Sequence, residues 1–204
     1  AFDGRDAEFA SQPGSPPAGR FARFVDRDQA GNYKAHFMGS FLTPGQGDYY
    51  LVPRKLERDT LAEPYSYAYN GVPTLLTSVS AVIIDDGKLK AVTTSDISLA
   101  SLQQRVSKIK PWEGSGYAML ISTGGKVVSS PVKEDAGKQY KGETDGFSSK
   151  MIQRFDPVLG EEVLQTWRPI TIGNSQTSWY LSIVAPVDLV MAAANRQLMY
   201  ALIM

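Results

Sequence analysis

Two hydrophobic rhythms alternate along this 204-residue chain. In "TLLTSVSAVIIDDGKLKAVTTSDISL" the β-branched and apolar residues form two runs, Thr74 to Ile84 and Lys88 to Thr94, separated by Asp85-Asp86-Gly87. An Asp-Gly step supplies the positive φ that a tight turn demands, so the runs predict an antiparallel hairpin. Leu99, Leu102, Val106 and Ile109 then recur at helical spacing, drawing one apolar stripe on a helix that starts near Ser98 and ends before Pro111. The strand rhythm returns afterwards. "GYAMLIST" and "KVVSSP" flank Gly124-Gly125 as a second hairpin; after a polar loop from Gly137 to Ser149, "EEVLQTWRPITI" and "SWYLSIVAP" flank "GNSQT" as a third.

The flanks are less regular. Residues 1 to about 48 are rich in Gly, Pro, Ser and Asp, and predict loop with one hairpin at most, around Phe21 to Val25 and Tyr33 to Phe37. A helix from Tyr49 toward Arg58 is expected to be brief, because Pro53 is tolerated in a first turn but not deeper. Pro64 forces an extended conformation on Glu63. At the other end "VMAAANRQLMYALIM" reads either as a core helix or as the last turn before a membrane span; it is shorter than the ~20 apolar residues a crossing needs. The chain opens on a turn-rich loop without Met, as an excised piece would. The element order predicts an α+β chain of two similar modules in series, joined near Lys108 to Gly114.

Composition narrows the function classes. Lys plus Arg balances Asp plus Glu at 21 each, so no net field draws nucleic acid, and none is expected as a partner. Cysteine is absent, which removes disulfides, thiolate nucleophiles and cysteine-metal sites and leaves the compartment open. The one histidine, His36, lies in the strand-like "YKAHFM" and reads as a packed or surface residue rather than a base. There is no G-x-S-x-G elbow, phosphate loop or G-x-G-x-x-G. Asp3, Asp6 and Glu8 in "FDGRDAEF" lack the order of a calcium loop. No catalytic residue, metal or cofactor is therefore expected. A small periplasmic hydrolase is the rival from another class.

One stretch concentrates binding chemistry. "GQGDYYLVPRKLERDTLAEPYSY", Gly45 to Tyr67, carries Asp48, Tyr49, Tyr50, Glu63, Tyr65 and Tyr67, and Asp96 ends the second strand of the neighbouring hairpin. Carboxylates supply charge for a small cation, and ring faces attract ammonium groups while keeping out screening water. Plainer roles stand beside this one. Tyr49 and Tyr50 are consecutive and cannot share a face, so one of them belongs to the core. Glu63 serves equally as a solvent-facing residue, and Asp96 as a cap for the Ser98 helix.

The succession "GDYYLVPRK…EPYSY…DDGKLKAVTTSDISLASLQ…GYAMLISTGGKVVSSP…WYLSIVAP", preceded by "FDGRDAEF" and "GRF", resembles the double Cache sensor domain of bacterial chemoreceptors, the methyl-accepting chemotaxis proteins, over nearly the whole chain. The resemblance implies two PAS-like modules, each an antiparallel sheet flanked by helices, on a long N-terminal helix that this chain does not include. It implies a ligand-binding membrane-distal module at residues 1–110, a membrane-proximal module at 111–187, and a C-terminal helix at 188–204 leading to a transmembrane segment. The domain would lie in the periplasm, on a homodimeric receptor anchored in the inner membrane.

In the amino-acid-binding branch an arginine two positions before an aromatic pair holds the ligand carboxylate, and the aspartate of "DISL" holds its ammonium. Here the pair is Tyr49-Tyr50 and the aspartate is Asp96, but the arginine position reads Gly47. The resemblance is then to the branch that senses amines and polyamines, with Asp96, Tyr50, Glu63, Tyr65, Asp48, Tyr49 and Phe24 as the implied ligand residues. Amine-sensing relatives carry Tyr-Trp where this chain has Phe24-Val25, which removes an indole face and opens space for a bulkier ligand. The same domain on a histidine kinase or diguanylate cyclase, or one that binds an amino acid or other small metabolite, is the alternative.

Overall fold

A computed structural model describes residues 5–10, 21–28, 30–69, 72–142 and 144–192. The chain is α+β, with antiparallel sheets throughout. Strands β1 (Arg23–Arg27) and β2 (Tyr33–Phe37) pair as an isolated hairpin. Helix α1 (Asp48–Leu56) follows. Strands β3 (Thr60–Leu61), β4 (Tyr65–Tyr69), β5 (Val72–Asp85) and β6 (Lys88–Ser98) form a four-stranded sheet in which β3, β4 and β6 all pair with β5. Helix α2 (Leu99–Val106) leads on to β7 (Tyr117–Ile121), β8 (Val127–Ser129), β9 (Ile152–Asp156), β10 (Glu161–Thr171) and β11 (Ser178–Pro186), a sheet of order β8-β7-β11-β10-β9. Two compact units result: Ala1–Ala62 with Val79–Ser95, and Glu63–Ser78 with Asp96–Met204, so that β5 and β6 each run from one unit into the other.

The three expected hairpins are present with their turns at Asp86-Gly87, Gly124-Gly125 and the loop before β11. Asp86 and Gly87 both take positive φ, 49° and 69°, as a tight right-twisting turn requires. Ser98 caps α2 by accepting from the Ser101 amide at 3.2 Å, and Leu99 and Val106 of the stripe are buried. Ile109 is not: the helix ends three residues before it, and with Pro111 following, Lys110 has already left the helical path at φ -119° and ψ 77°. Strand β9, "IQRFD", had no expectation attached; its alternating exposure carries too few apolar residues to stand out. At the C-terminus residues 187–192 are helical, and the remainder of the terminal stretch lies outside the described residues. Among the described residues no helix is long and apolar enough to cross a membrane.

Helix α1 departs from expectation. It runs nine residues with Pro53 at its sixth position. A proline there brings no N–H to the carbonyl four residues back, that of Tyr49. The Ser80 hydroxyl donates to the Tyr49 carbonyl instead, at 2.6 Å, so the helix passes through its proline with that acceptor served from β5. Pro53 is itself buried, turning a helix-breaking residue into a packing one.

The second unit is built on the inner face of the five-stranded sheet. Trp167, Met119, Ile121 and Val127 form its buried centre, with Tyr117, Tyr140, Phe147 and Tyr180 packed on it. Tyr140 and Phe147 meet Trp167 edge to face at 5.7 and 5.2 Å, and Phe147 stacks on Tyr180 at 4.0 Å, the arrangements that ring quadrupoles favour. Helix α2 lies against β7 and β8, and the Gln103 amide grips Ser130 both ways: its nitrogen donates to the Ser130 carbonyl and its oxygen accepts from the Ser130 amide.

Asp156 closes the β9–β10 turn. Its Oδ1 accepts from the Val158 and Leu159 amides, both at 2.9 Å; its Oδ2 accepts from Tyr117 at 2.6 Å and pairs with Arg154 at 2.8 Å. Burial pushes this carboxyl upward, but the Tyr117 hydrogen bond, the two amides and the Arg154 charge outweigh it and hold the group below the ordinary carboxylate range. A carboxyl depressed on folding contributes stability above its unfolded pKa of ~3.9 and loses that contribution as pH falls through the folded value. The stability advantage of the wild type over Asp156→Asn, measured by urea unfolding, should therefore be present at pH 7 and shrink below about pH 4. An advantage that is the same at pH 7 and pH 3 would contradict this account of Asp156.

Candidate functional site

The expected ligand residues fall into both compact units. In the first unit, α1 starts at Asp48, whose side chain is exposed and accepts from the Gly45 amide at 2.9 Å, an acid in the first turn where the helix dipole favours it. Tyr49 and Tyr50 are both half-buried and point to different neighbours, as consecutive helical residues must. The Tyr49 hydroxyl lies 3.9 Å from the Met38 sulfur, whereas the Tyr50 ring meets Phe41 edge to face at 5.3 Å and has the Arg54 guanidinium over it at 5.9 Å. Tyr50 thus already faces a cation from its own helix, one turn on. Phe24, half-buried on β1, sits 6.4 Å from the ring of His36, which hydrogen-bonds Asp26 at 2.9 Å.

Gly47, the helix N-cap, is constrained by contact rather than by φ. A Cβ there would overlap the backbone carbonyl of Phe41, a group that cannot swing away. The position at which the resemblance expects a ligand-holding arginine therefore has no room for any side chain in this fold.

In the second unit three neighbouring strands aim polar side chains at one point. Tyr65 opens β4 opposite Leu76 of β5; Ser78, two residues on, shares that face; Asp96 stands on β6. The Ser78 hydroxyl, fully buried, donates to Asp96 Oδ1 at 2.7 Å. A hydroxyl has one proton, so the Tyr65 phenol, 2.7 Å from Ser78 Oγ, is the donor in that second contact. The phenol is also 3.5 Å from Asp96 Oδ1. The chain of donors thus runs Tyr65 to Ser78 to Asp96. Asp96 itself is exposed and does not cap α2, a role that Ser98 fills. Its Oδ1 is oriented by the protein while its Oδ2 accepts no hydrogen bond among the described residues, the arrangement of a carboxylate held ready for a donor from solution. Tyr67 lies on the Tyr65 face of β4, opposite Thr74, and is exposed.

Glu63 is engaged elsewhere. Its Oε2 accepts from Ser122 at 2.5 Å and its Oε1 from the Gly124 amide at 2.7 Å, so both oxygens are taken by the β7–β8 turn, not by the group around Asp96. Ser78 and Ser122 carried no expectation, and Gly124 only that of a hairpin turn. Ser78 was open to detection, since Leu76, Ser78 and Ser80 make one row of a strand and the two serines interrupt its apolar alternation; the Glu63 partners, about sixty residues on, had no local signal.

No protein-family model matches the chain. Among curated proteins, the methyl-accepting chemotaxis proteins McpA of Pseudomonas putida and PscA of Pseudomonas syringae pv. tomato are each 24% identical to it, over 156 and 163 residues that make up 75% and 78% of this chain. The chain spans about a quarter of the length of these relatives, 24% of each. Among solved structures, the extracellular domain of the histidine kinase mmHK1S-Z3 superposes with a TM-score of 0.72 at 25% identity, covering 96% of this chain and 72% of that one. Methyl-accepting chemotaxis protein X follows at 0.67 and 25%, covering 85% and 66%. The ligand-binding domain of the Pseudomonas fluorescens chemoreceptor CtaA, in complex with L-alanine, shares the fold at a TM-score of 0.58 and 23% identity, with 83% and 73% covered. The chain thus has the Cache-type architecture seen in the extracytoplasmic ligand-binding domains of chemoreceptors and sensor histidine kinases.

The contact at Gly47 yields a direct test. Gly47→Arg is expected to lower stability by ~1–3 kcal/mol or more, read as a lower melting temperature, since the new side chain must displace backbone. A variant that melts with the wild type would show that the approach of Phe41 leaves room for the arginine.

Proposed function

We propose that this chain is the sensor domain of a membrane-anchored bacterial chemoreceptor and that it binds a small ligand through an ammonium group at Asp96. The observation that carries the reading is the donor chain Tyr65–Ser78–Asp96, which orients one oxygen of an exposed carboxylate and leaves the other without a hydrogen bond among the described residues. An ammonium group offers three donors and a full charge, and its charge-assisted bond to a carboxylate is about twice as strong as a neutral one. Tyr65, whose hydroxyl is 3.5 Å from Asp96 Oδ1, brings an aromatic side chain to the same place, as suits an ammonium group. The exclusion of a side chain at Gly47 favours ligands that do not depend on a carboxylate clamp there, hence an amine or polyamine over an α-amino acid.

The rest of the assignment follows the resemblance: a distal module over residues 1–110 holding the ligand, a proximal module over 111–187, a terminal helix from 188 into the membrane, a periplasmic location and a homodimeric receptor. The likeness to the mmHK1S-Z3 extracellular domain supports a second host, a sensor histidine kinase carrying the same domain. Related chemoreceptor domains have been solved with L-arginine, L-alanine and GABA, and GABA and amino acids share the ammonium group with amines. In either host the ligand acts by preferring one arrangement of the domain over another, since equal affinity for both would shift nothing.

A thermal-shift comparison of putrescine, GABA and L-alanine, followed by calorimetry, tests the reading. Putrescine should raise the melting temperature of the wild type, a ligand at a hundred times its Kd adding about 2.7 kcal/mol. Asp96→Ala should stay folded with a modestly lower melting temperature, because the buried Ser78 hydroxyl loses its acceptor, and lose at least about tenfold in putrescine affinity. Unchanged affinity in Asp96→Ala, or a response confined to compounds without an ammonium group, would overturn it.

A further inference from the structure

Two residues before Tyr65 the chain is clamped. The Glu63 carboxylate takes the Ser122 hydroxyl on one oxygen and the Gly124 amide on the other, and Lys126 reaches back to donate to the Pro64 carbonyl at 3.0 Å. The receiving turn is shaped for this. A Cβ at Gly124 would come within 2.8 Å of Glu63 Oε2, so a side chain there would push the carboxylate from this position. Ser122 is fully buried, and its oxygen also accepts from the Lys126 amide at 2.9 Å while its proton goes to Glu63. From the same turn Thr123 donates to the Ser178 carbonyl at 2.8 Å, where β11 begins. Strand β11 runs to Pro186 and hands directly to the helical residues 187–192.

We propose that Glu63 is a positioning residue rather than a ligand contact: it couples the Asp96 site to the C-terminal helix by locking the start of β4 to the β7–β8 turn. Resting on the sensor reading above, the coupling works as follows. Tyr65 completes the Asp96 site and lies two residues from a doubly bonded carboxylate, so a ligand that shifts the Tyr65 phenol toward its ammonium pulls on Glu63 and Pro64. The turn at 122–126 receives that displacement through three hydrogen bonds and passes it through Thr123 to the first residue of β11. Coupling of this kind is reciprocal: whatever ligand occupancy does to the grip on Gly124, the state of the grip does to ligand affinity. A carboxylate with both oxygens bonded is suited to the task, because it has no intermediate arrangement in which only part of the contact is kept at full strength.

Hydrogen exchange on the wild type and Glu63→Gln, each with and without putrescine, tests this, with GABA and L-alanine as substitutes should putrescine give no thermal shift. In the wild type, ligand should change the exchange rate of the Gly124 amide and of the start of β11 by at least about threefold. Glu63→Gln should still bind ligand within about threefold of wild-type affinity, yet lose the ligand-dependent change in both segments. Loss of binding in Glu63→Gln would make Glu63 a ligand contact, and persistence of the ligand-dependent change would make it a static brace; either overturns the proposal. Should Glu63→Gln not fold, Ser122→Ala removes one of the two bonds and is held to the same outcomes. The amine reading fails separately, if none of the three compounds shifts wild-type melting. In that event the grip is read without ligand: Glu63→Gln should speed Gly124 exchange about tenfold, and an unaltered rate would overturn the lock itself.

Discussion

A buried hydroxyl has a single proton to give, and Ser78 gives its proton to Asp96. That constraint orders the rest of the site. It makes Tyr65 the donor to Ser78, fixes which oxygen of Asp96 is satisfied by the protein, and leaves the other without a hydrogen-bond partner among the described residues. It also requires β4, β5 and β6 to stay in register, because a slip of one residue would turn Ser78 away from both partners. The sheet is therefore a device for aiming three side chains as much as it is a core element.

Rigidity elsewhere serves the same end. The aromatic cluster around Trp167 and the Asp156 turn give the five-stranded sheet a fixed inner face and a fixed edge, so that the β7–β8 turn presents Ser122 and Gly124 from a defined frame. Glu63 then connects that frame to β4. Two carboxylates thus differ within one unit: Asp96 accepts from the protein on one oxygen, the other being the ligand's in the proposed reading, while Glu63 uses both of its oxygens on the protein. The difference lies in their surroundings, not in their chemistry.

Much of the fold was legible from the chain because strands and turns announce themselves locally. Asp86-Gly87 and Gly124-Gly125 need backbone freedom that few residues have, and the runs beside them alternate cleanly. Local rules failed where a distant group intervened. Pro53 should have stopped α1, but the Ser80 hydroxyl, twenty-seven residues on, serves the carbonyl that Pro53 cannot. Asp96 and Tyr65 stood out as candidates from chemistry and resemblance, and the structure brings them to one serine. Glu63 was recognisable only as a carboxylate beside tyrosines; its partners lie across the second unit, and no reading of spacing connects them.

The most direct measurement of the central claim is a crystal structure of the domain grown with putrescine. The account predicts an ammonium nitrogen about 2.7–3.2 Å from Asp96 Oδ2, with the Ser78 hydroxyl still donating to Oδ1. A ligand seated away from Asp96, or an Asp96 carboxylate turned from Ser78 to a protein cation in the occupied domain, would contradict it.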